Sequence, residues 1–357
     1  MSQCSSGDKM KTKNEIKFTA FLKRYPEKFL LSGKNSVMDG FEYFETSEYK
    51  NKPGAILSRP KAMITNKSVK DIIRIGMTFI TILPCMLKNI KKNYTDMNGY
   101  LKSVKNGSFN NVSIENNNSY PNKNVWVELK NYAWENHQLI VGFTELPQEY
   151  VFSGKASPFR HALVFAQEMK KEPIEKAPEL DAGIEVMRVY NSLGIATNDI
   201  ANWLRKTYNV VCMANHPLGG LVDTVPLAEK AGLGAIGKHG MLITKEFGPR
   251  CRISPLFTEL KLFEYTGSHE HSWINTFCSK CRHCISSCPT SAIYSESKLS
   301  KRYNKIGLKD RYENYDREKC FTSFAATMGC AVCISVCPFS KNPAIYDTMK
   351  LKYTNTN

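Results

Sequence analysis

Two short stretches decide the fold of the chain's final third: Cys278-Ser-Lys-Cys281-Arg-His-Cys284-Ile-Ser-Ser-Cys288-Pro289 and Cys330-Ala-Val-Cys333-Ile-Ser-Val-Cys337-Pro338. The second repeats the end of the first but lacks its opening cysteine, because position 327 is Thr. Cys320, ten residues before Cys330, is the available substitute. Eight of the 12 cysteines therefore lie between Cys278 and Cys337, among polar loops. Where thiols replace apolar side chains, a bound metal must supply much of the folding energy.

The spacing Cx2Cx2Cx3CP is the run of bacterial ferredoxins, in which the fourth cysteine ligates the other cluster of a pair. Three thiolates wrap one corner of a cubane, and Pro289 turns the chain away. This assigns Cys278, Cys281, Cys284 and Cys337 to one [4Fe–4S] cluster, and Cys288, Cys320, Cys330 and Cys333 to the other. Paired zinc sites are the competing reading, but zinc favours two separated CxxC pairs. Two adjacent clusters make an electron wire, and a wire needs something to feed. The scattered Cys4, Cys85, Cys212 and Cys251 read as small buried apolar groups.

The whole chain has 357 residues, 42% hydrophobic and 23% charged, which excludes wholesale disorder and collagen-like or repeat architecture. Its 49 Lys+Arg against 33 Asp+Glu give +16. Such a balance favours acidic partners: nucleic acid, an anionic membrane surface or an acidic electron carrier. A Lys-rich solvated surface without a specific partner is the plainer alternative. Residues 1–17 show no apolar signal core and no twin arginine, so a cytoplasmic, thiol-reducing setting is expected. Residues 72–87 (IIRIGMTFITILPCML) are largely apolar but carry Arg74 and Pro84. The run is shorter than the ~20 residues of a membrane span. A buried or interfacial helix, with peripheral membrane contact, is the first reading there, and a transmembrane helix the second.

Three regions follow: a basic, irregular and Asn-rich 1–125, an α/β domain over 126–266, and the cysteine-rich 267–357. Within the second, Leu139–Phe143, Ala162–Ala166, Asn209–Met213, Met241–Thr244 and Arg252–Phe257 read as strands. A long helix is expected from Asp181 to Tyr208, with its apolar stripe at Ile184, Met187, Tyr190, Leu193, Ile200 and Leu204. Leu227–Ala231 reads as a short helix closed by Gly232. Alternating strands and helices suggest a layered α/β domain.

Between helix and strand stands Ala231-Gly-Leu-Gly-Ala-Ile-Gly-Lys-His-Gly240. Its glycines would let backbone approach a large flat ligand closely. Gly232-Leu-Gly234-x-x-Gly237 formally matches a dinucleotide fingerprint, but it follows a helix and precedes a strand, the reverse of that site.

The run AGLGAIGKHGMLIT, the later FGPR and ISPLFTEL, and the double cysteine motif with its offset Cys320 together resemble the corrinoid-dependent iron–sulfur reductases. That superfamily includes reductive dehalogenases and epoxyqueuosine reductase. The resemblance covers about residues 126–340. It implies a nitroreductase-like corrinoid-binding α/β core followed by a ferredoxin-like double [4Fe–4S] module. It implies a base-off cobalamin against Gly232–Thr244, contacted by Gly232, Leu233, Gly234, Gly237, Lys238, His239 and Gly240, with His216 lining the pocket. Electrons would pass from an acidic donor such as ferredoxin or flavodoxin, through both clusters, to cobalt, giving Co(I).

Reductive dehalogenases place a Tyr beside a Lys or Arg as proton donor. The resemblance points to Tyr190 and Lys238, since a cation near a phenol eases proton release. Tyr190 also sits on the apolar stripe, where it would be plain core. Epoxyqueuosine reductase instead uses an Asp in a Val-Asp-Thr/Ser-x-Pro segment, which Val222-Asp223-Thr224-Val225-Pro226 approaches. Asp223 is the alternative acid, or a turn residue. The expected reaction is reductive cleavage of a carbon–heteroatom bond in a small molecule, organohalides first. The alternatives are an epoxyqueuosine reductase-like enzyme acting on tRNA and a non-catalytic electron-transfer protein.

Overall fold

The computed structural model describes residues 124–151, 159–208, 222–258, 263–297, 311–327, 329–342 and 344–354, with 210, 212–215 and 217. The basic segment before Asn124, including 72–87, lies outside the described residues. Among the described residues, no helix is long and apolar enough to cross a membrane.

The described residues begin with α1 (Asn124–His137), which buries Val125, Leu129 and Ala133 at four-residue spacing. Then come β1 (Leu139–Glu145), β2 (His161–Glu168), α2 (Lys171–Glu175), α3 (Leu180–Tyr208), β3 (Cys212–Ala214), α4 (Thr224–Lys230), β4 (Ala235–Ile236), β5 (Leu242–Ile243) and β6 (Cys251–Thr258). The cysteine-rich part is helical: α5 (Trp273–Cys281), α6 (His283–Ser286), α7 (Arg317–Ala326), α8 (Val332–Ser335), α9 (Pro338–Lys341) and α10 (Ala344–Thr354).

The main sheet runs β1-β2-β6-β3, and β4 pairs with β5 apart from it. Every pairing is antiparallel, with Val141 opposite Phe165 and Val164 opposite Pro255. The expected layers are present, but hairpin-type pairing replaces the parallel order that alternating strands and helices usually bring. Side-chain alternation along β2 builds both faces. Leu163 and Phe165 pack with Leu129, Leu193 and Ile200 of α1 and α3. Ala162, Val164 and Ala166 pack with Leu227 and Ala228 of α4. Pro255 is tolerated inside β6 because its N faces the β3 side, where β3 has already ended at Ala214. Its carbonyl, on that same side, accepts the Asn215 N–H at 3.1 Å.

The apolar stripe of α3 is rotated from the expected one. The buried seam is Ala182, Val186, Val189, Leu193, Ala196, Ile200 and Leu204, while Ile184 is exposed. Its first half, Ala182, Val186 and Val189, packs on Met169, Ile174, Ala331 and Ile334, and its second half, Leu193, Ala196, Ile200 and Leu204, packs on the sheet. Tyr190 therefore sits on the flank of the seam, half-buried rather than in the core.

The two halves share their packing. Ala331 and Ile334 around α8 close a cluster with Met169, Ile174, Val186 and Val189 of the α/β half. Arg250, almost fully buried, donates to Met169 O at 2.8 Å, to Glu168 at 2.6 Å and to Ser340 O of α9 at 3.1 Å.

Candidate functional site

The two cysteine loops adopt one conformation twice. Arg282 (φ 56°) follows Cys281 and precedes α6; Ala331 (φ 60°) follows Cys330 and precedes α8. A left-handed non-glycine residue is sparsely populated, so its recurrence at matching points marks a functional constraint. It turns backbone N–H groups inward, the arrangement that cradles anionic clusters.

None of the eight cysteines forms a disulfide. Burial, then Cys278 and Cys281, push Cys284 up to about 12. Burial also raises Cys337, with Cys278, Cys284 and Cys281 as its thiol neighbours. Burial, then Cys330 and Cys288, push Cys320 up to about 11. Burial raises Cys333, beside Cys320, Cys330, Cys284 and Cys288. Burial opposes the Cys288 thiolate, but the N–H groups of Thr290, Ala292 and Ile293 with the Thr290 hydroxyl outweigh it and hold this thiol low. The Ala292 N–H reaches Sγ at 3.2 Å. Cys278, Cys281, Cys284 and Cys337 are thus neighbours of one another, as are Cys288, Cys320, Cys330 and Cys333, and Cys284 adjoins Cys333 across the two groups. Mutually repelling thiolates need a cationic core between them. Among the described residues, no three His, Cys, Asp or Glu side chains converge on a single ion. The donor chemistry fits two cubanes better than zinc.

Cys212 and Cys251 are buried apart from these sets. Burial pushes them up to about 11 and about 12, against the pull of Arg205 and of Arg252. In the native protein both are expected to resist iodoacetamide at pH 8 and to react fully once unfolded, as read by mass spectrometry. A folded-state thiol raised above its unfolded value also means that stability falls as pH climbs above about 9, because the unfolded chain releases its protons first.

A cleft lies between the halves, in two adjoining lobes. The first, about 1110 Å³ with its open mouth included, has Cys288, Cys320, Cys330 and Cys333 on its wall. The second, about 1100 Å³ on the same measure, is lined by Asp223, Thr224 and Pro217. Tyr190, Met241, Arg252, Arg311 and Tyr312 belong to both.

Tyr190 faces this cleft, and the cation beside it is Arg252, whose guanidinium lies 4.8 Å from the ring centroid. Arg252 Nε is buried without a partner. Lys238, expected in that position, is elsewhere: its Nζ donates to Ser297 at 2.9 Å, and its neighbours include Cys284, Arg282 and Cys278. Burial lowers its pKa. The expectation failed because adjacency of Lys238 to the glycine run is not adjacency to α3. The overlooked signal was a lone arginine opening the apolar run Arg252–Phe257.

Asp223 stands at the N-cap position of α4 but makes no cap hydrogen bond. Its Oδ2 accepts from Arg311 Nε at 2.9 Å, while its Oδ1 is buried without a partner. Arg311 also donates to Tyr312 Oη at 2.8 Å and to Gly240 O at 3.3 Å. Burial works against the Arg311 charge, but Asp223 and the two tyrosines Tyr312 and Tyr315 raise its pKa. Asp223 is therefore more than a turn residue, though sequence offered no hint of Arg311.

The glycines correct a second expectation. They pack on the protein itself rather than on an open ligand surface. Gly232 (φ 73°) closes α4 and abuts the Thr266 carbonyl; Gly240 (φ 77°) abuts the Tyr315 ring. Gly234 lies on the Ile243 backbone, Gly237 against Ile243 and His239, and Leu233 is core. Of the stretch expected to touch a corrinoid, His239, Met241 and Leu242 line the cleft. Burial lowers the His239 pKa to about 4. His216 lies outside the described residues.

Residues 277–340 match the model of a 4Fe–4S double cluster binding domain. A tetrachloroethene reductive dehalogenase of Desulfitobacterium hafniense is 31% identical over 189 residues, 51% of this chain and 33% of that protein. An epoxyqueuosine reductase of Lactococcus garvieae is 34% identical over 127 residues, 34% of this chain and 33% of that protein. Both alignments span about a third of the relative's length. A solved catabolic reductive dehalogenase shares the fold, with a TM-score of 0.57 at 18% identity, over 73% of this chain and 38% of its own. The double-cluster module, the sequence likeness and the shared fold together make this chain a relative of the superfamily that holds the reductive dehalogenases and the epoxyqueuosine reductases.

Proposed function

We propose that the chain is a corrinoid- and iron–sulfur-dependent reductase that cleaves a carbon–heteroatom bond, a carbon–halogen bond ahead of others. The observation that carries this reading is the cleft, which joins the Cys288–Cys333 set to the Tyr190–Arg252 pair without a break. The cleft fits a large ligand with a polar rim, because Asp223 Oδ1 and Arg252 Nε are buried on its walls without hydrogen-bond partners among the described residues. A related fold belongs to a reductive dehalogenase whose structure suggests a mechanism for B12-dependent dehalogenation. A base-off cobalamin bound here would supply the reducing metal for bond cleavage.

The chain's own residues do the rest. The Tyr190 hydroxyl delivers the proton that replaces the leaving group. Arg252, carried by β6, stacks over the ring and holds its orientation in the cleft. The Asp223–Arg311–Tyr312 network closes the far wall of the cleft and keeps water from it. Exposed Lys280 and Arg282, on either side of Cys281, suit an acidic donor such as ferredoxin or flavodoxin. Eight reduced thiols suit a cytoplasmic setting. In this reading 126–266 houses the corrinoid and substrate, and 267–357 conducts electrons. A tRNA-directed role would need Asp223 as an acid, whereas its carboxylate accepts from a buried guanidinium. A bare electron carrier would need no Tyr–Arg pair.

Anaerobic reconstitution with iron, sulfide and cobalamin tests this. About eight iron and about one cobalt per chain, with a base-off Co(II) EPR signal, are expected. Eight iron without cobalt would sink the corrinoid reading. Turnover of epoxyqueuosine tRNA but not of halogenated compounds would sink the substrate class.

A further inference from the structure

His239 shares the first lobe of the cleft with Cys288, Cys320, Cys330 and Cys333. It sits in the turn between β4 and β5 and is 3% exposed. Its Nδ1 lies 3.0 Å from the Met241 backbone N–H. That nitrogen must accept, so the neutral ring carries its proton on Nε2. Nε2 is buried and has no hydrogen-bond partner among the described residues. A buried donor of this kind, left without an acceptor, carries its full desolvation penalty. The local packing holds the ring there all the same. Gly237 leaves room for it, since a Cβ at that position would come within 2.9 Å of His239 Cε1. Met241, whose N–H fixes the tautomer, packs against the same Cys284–Ile293–Tyr315 cluster as Cys288, Cys320 and Cys333.

We propose that His239 Nε2–H donates a hydrogen bond to a sulfur of the cluster held by Cys288, Cys320, Cys330 and Cys333, and so raises that cluster's reduction potential. The inference rests on the assignment of those four cysteines to one cubane. A reduced cluster carries one more negative charge, so a donor aimed at its sulfur stabilises the reduced state. The effect draws electrons from the Cys278 set toward the Cys288 set, the one that borders Tyr190 and the cleft. His239 acts here as a positioning and tuning residue, with no part in proton delivery to substrate.

The test uses the reconstituted full chain. Potentiometric EPR titration is compared among the parent, His239→Phe, which keeps a ring and deletes the donor, and His239→Gln, which restores an N–H. One of the two cluster potentials is expected to move negative in His239→Phe, the other to stay, and His239→Gln to recover part of the shift. Unmoved potentials in His239→Phe with full iron content would overturn the proposal. So would a weakened cobalamin affinity with both potentials unchanged, because the donor would then serve the corrinoid. A second measurement needs no substitution and covers a variant that fails to load iron. With 15N-histidine, the reduced parent protein is expected to show hyperfine coupling to an imidazole nitrogen, and its absence would overturn the proposal. Failure of the cluster assignment itself is read separately, as fewer than about eight iron in the parent.

Discussion

Tyr190→Phe is expected to lower turnover of a halogenated substrate by about 10²–10⁴-fold, the range that a positioned proton donor contributes. That corresponds to roughly 3–5 kcal/mol of transition-state stabilisation. The substitution removes one hydroxyl and keeps the ring, so the stacking with Arg252 at 4.8 Å persists. Iron content, cobalamin binding and both cluster potentials are expected to match the parent. The loss is therefore assignable to proton delivery. Arg252→Lys keeps the charge but loses the planar stack, and an intermediate loss is expected. Lys238→Met is the control, since Lys238 bonds Ser297 away from Tyr190. Single-turnover assays with a chemical reductant decide the matter. Full turnover in Tyr190→Phe, or a loss confined to Lys238→Met, would remove Tyr190 from the mechanism.

The second large effect concerns stability. Arg311→Met is expected to cost about 3–5 kcal/mol, because it leaves Asp223 as an uncompensated charge in a buried site. The side chains of Arg311 and Asp223 are only 14% and 6% exposed, so solvent cannot stand in for the lost partner. The double variant Arg311→Met, Asp223→Leu removes both charges and is expected to recover most of that loss. Anaerobic urea denaturation of the loaded protein gives both values. A double variant as unstable as the single one would show that the pair is held by packing rather than by charge.

Patterns that are local in the chain were legible in the sequence. The double cysteine motif, the strands of the main sheet to within a few residues, the long helix and the short helix closed by Gly232 all depend on short-range spacing. What depends on pairing across the fold was not. The two-residue β4 is too short to show periodicity, and antiparallel order is invisible without knowing the neighbours of β2 and β6. The rotated seam of α3 serves two partners that lie far apart in the chain, the sheet for its second half and the segment around Ala331 and Ile334 for its first, so Ile184 and Met187 fall outside it. Arg252 and Arg311 were missed because each gains its meaning from a partner at least 62 residues away, Tyr190 and Asp223 respectively.

The core that Ala331 and Ile334 share with Met169, Ile174 and Val186 ties the chain's lifetime to its metal supply. Helices as short as α6 and α8 do not hold themselves in water, so without iron their loops loosen. Loosening there uncovers apolar side chains of α2 and α3, and with them the near end of the sheet. A chain that has not been metallated thus presents itself to proteases and chaperones as damaged, although nothing in its sheet is wrong. Biogenesis becomes a race between cluster insertion and degradation, and the cellular amount of protein follows iron availability with no dedicated sensor.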